Sequence, residues 1–290
     1  MRLVKVAIAT MRSSNNKAAN LATMELLIRE ASSSYAKMVF FPEVASFMST
    51  TSAETKQNAD LLTGPTVSIL QNLAKIHNIW ISSCLYEQPD SSPLSSPPDS
   101  RVYNTQIIIS NTGELTTTYR KIHLFDISLP EKNINLLESK SIRPGSKCVV
   151  APNSPLGPVG LAICYDLRFP ELASKLASLG AHVITYPSAF TVPTGQAHWH
   201  VLLRARAIEN QSFVIAAAQY GKCSETRNCY GHSLVVDPWG EIIYDGGGAD
   251  DSTEEQDGYV GFCEIDLDVI DDIREKMPIK AHRDAAVSWV

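Results

Sequence analysis

The sequence lacks the features that mark several large classes of protein. It has no run of about 18 apolar residues, so no hydrophobic helix is expected to span a membrane. It also lacks a cationic excess, since 25 Lys and Arg against 31 Asp and Glu leave a net charge of −6. Nucleic acid and anionic membrane surfaces are therefore not expected partners. Cysteine is sparse: the six at positions 84, 148, 164, 223, 229 and 263 have neither the density of a disulfide scaffold nor the CxxC spacing of a zinc site. That usage fits a reducing, cytoplasmic compartment. No G-x-G-x-x-G follows the first apolar run, which argues against a Rossmann oxidoreductase. Gly231-His232-Ser233-Leu234-Val235 lacks the closing glycine of a G-x-S-x-G elbow, which argues against an α/β-hydrolase. The opening MRLVKVAIATM is interrupted by Lys5 and has no small-residue cleavage site after it, so it reads as a strand and not a signal peptide.

What the sequence does have is a repeated pattern. Hydrophobic residues make up 44% of the 290, enough for a sizeable core, and a single domain over 1–290 is expected. Periodicity predicts a strand over Leu3–Thr10, a helix over Lys17–Ser34, a strand over Lys37–Phe41, a helix over Pro65–His77 and a strand over Trp80–Glu87. A hairpin then pairs Asn104–Ser110 with Glu114–Arg120. The order recurs: strand Val159–Cys164, helix Arg168–Leu179, strand His182–Thr185, helix Ala197–Asn210, strand Ser212–Gln219, and a hairpin of His232–Val236 with Glu241–Tyr244. This is an internal duplication of a β-α-β-α-β-β unit. Near-continuous apolar strands need cover on both faces, and each copy alone leaves one sheet face bare. The expected fold is α/β, a four-layer α-β-β-α sandwich in which the two copies bury their bare faces against each other. Gln88–Ser100 and Gly246–Gly258 read as solvated excursions.

Ligands of α/β sheets gather beyond the carboxyl ends of strands, and three reactive side chains close predicted strands there. Glu43 follows Met38-Val39-Phe40-Phe41-Pro42, Lys121 follows the second hairpin strand, and Cys164 follows Leu161-Ala162-Ile163. A lone buried thiol is usually inert, a lone Glu can cap a helix, and a lone Lys is usually solvated. A carboxylate, an ammonium and a thiol converging in one cleft form a working acyl-transfer set. Cys164 also stands where a strand passes into a helix, and backbone N–H groups there favour a thiolate. Tyr165 offers a backbone N–H to an oxyanion. Arg168 is read either as the partner of Glu171 or Asp166 or as the ligand of a substrate carboxylate. His198 and His200 diverge on a helix with no carboxylate at ligand spacing, so no metal is expected.

Several ordered motifs carry a resemblance. FFPE ending at Glu43, YRKIHLFD around Lys121, GLAICYDLRFPE around Cys164, YPSAF at Tyr186–Phe190 and GHSLVVDPWGEI at Gly231–Ile242 resemble the nitrilase superfamily from Leu3 to about Arg283. The resemblance implies a Glu43–Lys121–Cys164 triad, no cofactor, a small-molecule amide as substrate, and a homodimer or larger assembly through the outer helices. It aligns Glu138 with a second glutamate that orients the lysine. Within the family, YPSAFTVPTGQAHWHVLLRARAIENQSFVIAAAQYGK and CYGHSLVVDPWG are most similar to the deaminated glutathione amidase branch. An ω-amidase acting on 2-oxoglutaramate or 2-oxosuccinamate is the alternative, and a papain-like Cys-His enzyme or a non-catalytic interaction protein on this fold are the readings from other classes.

Overall fold

The computed structural model describes residues 2–89, 99–129, 134–225, 227–248 and 256–285. Strand β1 (Leu3–Met11) leads into α1 (Lys17–Ser33), whose first turn is capped by the Asn16 side chain accepting from the Ala19 N–H at 3.1 Å. Then come β2 (Met38–Phe40), a short α2 (Ser52–Gln57), α3 (Pro65–His77) and β3 (Trp80–Glu87). Helix α3 starts with proline in its first turn and ends at Asn78 in the left-handed region, which stops it where the sequence predicts. The hairpin β4 (Tyr103–Ile109) and β5 (Leu115–Arg120) closes the first unit, with Gly113 at φ +83° in the turn.

A second, unpredicted hairpin follows, β6 (Asp126–Leu129) and β7 (Ile134–Leu137), then β8 (Val149–Ala151). The second unit comprises β9 (Val159–Leu161), α4 (Pro170–Ser178), β10 (Val183–Thr185), α5 (Val192–Asn210), β11 (Phe213–Ala216), a small hairpin of β12 (Tyr220–Lys222) and β13 (Asn228–Tyr230), β14 (Leu234–Val236) and β15 (Ile242–Asp245). The chain continues through β16 (Gly258–Asp266), α6 (Asp268–Lys276) and α7 (Ile279–Ala285).

The two large sheets repeat one topology. The first runs β16-β1-β2-β3-β4-β5, and the second, read in the matching direction, runs β8-β9-β10-β11-β14-β15. In each, three parallel strands are followed by an antiparallel hairpin and preceded by one antiparallel edge strand. The edge strand of the first sheet is β16, from the far end of the chain. Its pairing with all of β1, Leu3↔Asp266 to Met11↔Gly258, ties the second unit back to the first.

Side-chain alternation sets the layers. Val6, Ile8, Met38 and Phe40 of the first sheet pack against Val159, Leu161, Val183 and Ile215 of the second, in one core between the sheets. The opposite face of the first sheet, with Ala7, Ala9, Val39 and Ile81, is covered by α1 and α3 through Met24, Ile28, Val67 and Leu70. The opposite face of the second sheet is covered by α4 and α5 through Leu176, Trp199 and Leu203. These are the four expected layers. Most of Gln88–Ser100 and of Gly246–Gly258 lies outside the described residues.

Candidate active site

Glu43, Lys121 and Cys164 converge in one pocket of about 290 Å³. Glu43 follows β2, Lys121 follows β5, and Cys164 follows β9, so each copy of the duplicated unit contributes strand ends to one cleft. A Lys121 Nζ–Glu43 Oε1 distance of 2.9 Å and Lys121 Nζ–Glu138 distances of 3.0 Å to both carboxylate oxygens make the buried ammonium the centre of a trio with buried Glu43 and half-buried Glu138. Asn104 Nδ2 donates to Glu43 Oε1 at 2.9 Å, and the Phe125 N–H donates to Glu138 Oε2 at 2.7 Å. Glu138 sits directly after β7. The β6–β7 hairpin therefore carries it to Lys121.

Backbone strain marks the site. Val44 and Cys164 are non-glycine residues in the left-handed region, at φ 51° and 49°, one beside the carboxylate and the other bearing the thiol. The surroundings hold both. Gln219 Nε2 donates to the Glu43 carbonyl at 3.0 Å and to Ser13 Oγ at 2.8 Å, and Gln219 Oε1 accepts from the Ser13 N–H. The Cys164 N–H donates to the Pro187 carbonyl at 3.0 Å.

The fully buried Asp166 organises the Cys164 elbow. It accepts from the Ile163 N–H at 2.9 Å, the Tyr119 hydroxyl at 2.7 Å and the His123 N–H at 3.0 Å, with His123 Nδ1 at 2.7 Å. Tyr119 lies on β5 of the first unit, so Asp166 locks the elbow of one copy to a strand of the other. Sequence reasoning offered Asp166 only as a partner for Arg168. A buried-strand motif with an aspartate two residues after the cysteine was the available signal.

The elbow differs from the sequence reading in shape and charge. Strand β9 ends at Leu161, and residues Cys164–Arg168 form a 3-10 turn before α4 begins at Pro170. Burial pushes the Cys164 thiol well up, and the charge of Glu43, to which it is hydrogen-bonded, pushes it further than Lys121 pulls it down. These influences favour the thiol, opposite in direction to the backbone N–H groups of the elbow. Burial would raise the Glu43 carboxyl, but Lys121 and the hydrogen bonds from Cys164 and Lys121 hold it below its ordinary value. Burial likewise opposes the charge of Lys121, while Glu138 and Glu43 keep its ammonium well above the usual lysine range. A carboxylate base hydrogen-bonded to a thiol, beside a cation, is the charge state that acyl transfer requires at the start.

Arg168 also lines the pocket, but pairs with neither Glu171 nor Asp166 among the described residues. Both of its terminal nitrogens lie 3.3 Å from His198 Nδ1, and its guanidinium stands over the rings of Tyr165 and Phe190 at 5.7 and 5.6 Å. Sequence reasoning missed Arg227, which follows the β12–β13 turn and lines the same pocket. His200 points elsewhere: its Nε2 lies 3.2 Å from Asp245, whose other oxygen is 2.9 Å from His232 Nδ1. The ligand atoms of these three residues fall within 4.8 Å of one another and could hold a cation, a grouping invisible in the sequence because β15 supplies the carboxylate.

The sequence matches the carbon-nitrogen hydrolase family over residues 5–275. It is 41% identical over 280 residues to the nitrilase and fragile histidine triad fusion protein of Drosophila melanogaster, covering 96% of this chain but only 57% of that protein. It is 38% identical over 286 residues to the deaminated glutathione amidase of Dictyostelium discoideum, covering 97% of this chain and 94% of that one. Among solved structures, Saccharomyces cerevisiae Nit3, described as a member of branch 10 of the nitrilase superfamily, superposes with a TM-score of 0.81 at 31% identity, over 97% of this chain and 96% of that one.

Proposed function

From the premise that this chain belongs to the carbon-nitrogen hydrolase family and is a hydrolase of amide C–N bonds, we propose that its substrate is deaminated glutathione, cut to 2-oxoglutarate and cysteinylglycine. The near-full-length identity to proteins of that name carries the substrate reading. The convergence of Glu43, Lys121 and Cys164 supports the mechanism.

In that mechanism Glu43 takes the thiol proton as Cys164 Sγ attacks the amide carbonyl. The C–O π pair moves to oxygen, and the oxyanion is held by the Lys121 ammonium and the Tyr165 N–H. Tyr165 is the second residue of the 3-10 turn, where an amide has no acceptor within the helix. Collapse of the tetrahedral adduct breaks the C–N bond, and Glu43 returns its proton to the leaving nitrogen. The remaining thioester is opened by water, with Glu43 accepting the water proton and passing it to the departing Cys164 thiolate. Glu138 fixes the Lys121 ammonium throughout, and Arg168 is offered to a substrate carboxylate.

We read the protein further as a cytoplasmic homodimer. Its cysteines are free thiols, as a reducing compartment requires. The exposed Val201 and Ile208 of α5, with the exposed Leu179 at the end of α4, supply apolar surface for a second copy on the outer-helix layer. Light scattering at micromolar concentration tests that assembly.

The substrate is tested by kcat/KM for deaminated glutathione and 2-oxoglutaramate on one enzyme preparation, with mass spectrometry of quenched turnover. A preference for deaminated glutathione and an acyl adduct on the Cys164 peptide are expected. Preference for 2-oxoglutaramate would make the protein an ω-amidase, and full activity of Cys164→Ala would reject the nucleophile.

A further inference from the structure

Three cations line the pocket, and they differ in what they are already bound to. Lys121 is engaged by Glu43 and Glu138. Arg168 is engaged by His198 and two aromatic faces. Among the described residues Arg227 makes one side-chain hydrogen bond, from Nη1 to the Met48 sulfur at 3.6 Å, and no carboxylate lies within ion-pair distance of it. Thioether sulfur is a weak acceptor, and a guanidinium presents a planar fork of donors shaped for a carboxylate. Arg227 is half-buried in the pocket wall with most of its donors unmatched by protein groups, so they are available to a bound anion. Arg227 lies within electrostatic reach of Glu43 and Cys164, on the side of the pocket formed by Val44, Met48 and the β12–β13 hairpin.

We infer that Arg227 binds the terminal 2-oxo carboxylate of the acyl half of the substrate, leaving Arg168 to the carboxylate of the departing dipeptide. This rests on the substrate reading above. The order of events argues for that division. The acyl half stays attached to Cys164 as a thioester and needs a fixed anchor through both half-reactions. The amine half must leave before water can enter, so it is assigned to the other cation, Arg168, which sits between the Cys164 turn and His198 of α5. The acyl carboxylate, four carbons from the thioester carbon, would supply the ion-pair partner that Arg227 lacks among the described residues. Arg227 thereby becomes a specificity residue: it selects 2-oxo dicarboxylic acyl groups over neutral ones without touching the scissile bond.

The experiment compares wild type, Arg227→Met and Arg227→Lys on deaminated glutathione, 2-oxoglutaramate and the uncharged butyramide. The Met variant should lose on the order of 10²-fold in kcat/KM on both 2-oxo amides alike, mostly through KM, and butyramide hydrolysis should stay within about twofold. The Lys variant should recover part of the loss, since it restores charge without the fork. Equal loss on butyramide, loss confined to deaminated glutathione, or no loss would each overturn the inference. A second measurement separates it from the substrate reading: calorimetric binding of 2-oxoglutarate to Cys164→Ala and to Cys164→Ala with Arg227→Met. If wild type hydrolyses neither 2-oxo amide, the substrate reading fails by itself. Binding that is present in the first protein and absent in the second would then support Arg227 as the anchor, and equal or absent binding would overturn it.

Discussion

Glu138 grips the Lys121 ammonium through both carboxylate oxygens at 3.0 Å, while a single oxygen of Glu43 reaches the same ammonium at 2.9 Å. The two glutamates therefore divide their work. Glu138, pinned by the Phe125 N–H, is spent on holding the lysine, and Glu43 keeps an oxygen for the thiol. Glu138→Gln should leave Lys121 with one anionic partner and looser aim. We expect kcat to fall by ~10-fold or more with KM little changed, less than the ~10²-fold typical of removing an oxyanion donor itself. Steady-state kinetics check this, and an unchanged kcat would remove Glu138 from the machinery.

The pH dependence follows from the charge state. Glu43 is held below its ordinary value of 4.5, so it remains a base at neutral pH, and kcat/KM should drop only as pH falls through that depressed value. The stability its pairing contributes is present above 4.5 and is lost over the same acidic range. Because the thiol is raised above its ordinary 9.0, inactivation by iodoacetamide should still be accelerating beyond pH 9.0 in Glu43→Gln, where no base assists. A plateau near neutrality in the alkylation rate would mean a resting thiolate.

Gly195 in α5 has no room for a side chain, since a Cβ there would come within 2.1–2.4 Å of the Tyr230 ring and its Cβ. Gly195→Ala must push Tyr230, and with it the end of the β12–β13 hairpin that carries Arg227. We expect a loss of about 1–3 kcal/mol from overpacking, read as a lowered Tm, together with a raised KM. A variant that melts with wild type would show that the hairpin yields freely.

The His200, His232 and Asp245 cluster has the donor set for a cation, but none of the three lines the pocket of Glu43, Lys121 and Cys164. Dialysis against EDTA should therefore leave kcat/KM unchanged, and His200→Ala should stay within about twofold of wild type, the range of a surface change. Activity lost on chelation and restored by zinc would tie the cluster to turnover.

The sequence by itself determined the repeated unit, because apolar periods of two and 3.6 residues are local properties. Helix α3 and strand β3 carry the predicted bounds for that reason. It also exposed Glu43, Lys121 and Cys164, since polar residues that end apolar runs stand out before any folding is known. Local patterns could not reveal β6–β7, whose strands are four residues each, or β16, whose use as the edge of the first sheet depends on a partner more than 240 residues away in sequence. The same limit hid the roles of side chains defined by neighbours from other elements. Asp166 matters because Tyr119 and His123 reach it, and the Cys164 thiol is pushed up because burial and Glu43 act on it together. Arg227, in a polar turn, looks like any solvated arginine. Only the packing of its hairpin against Val44 and Met48 sets it in the pocket wall, because the charges a group faces are set by the atoms around it and not by its neighbours along the chain.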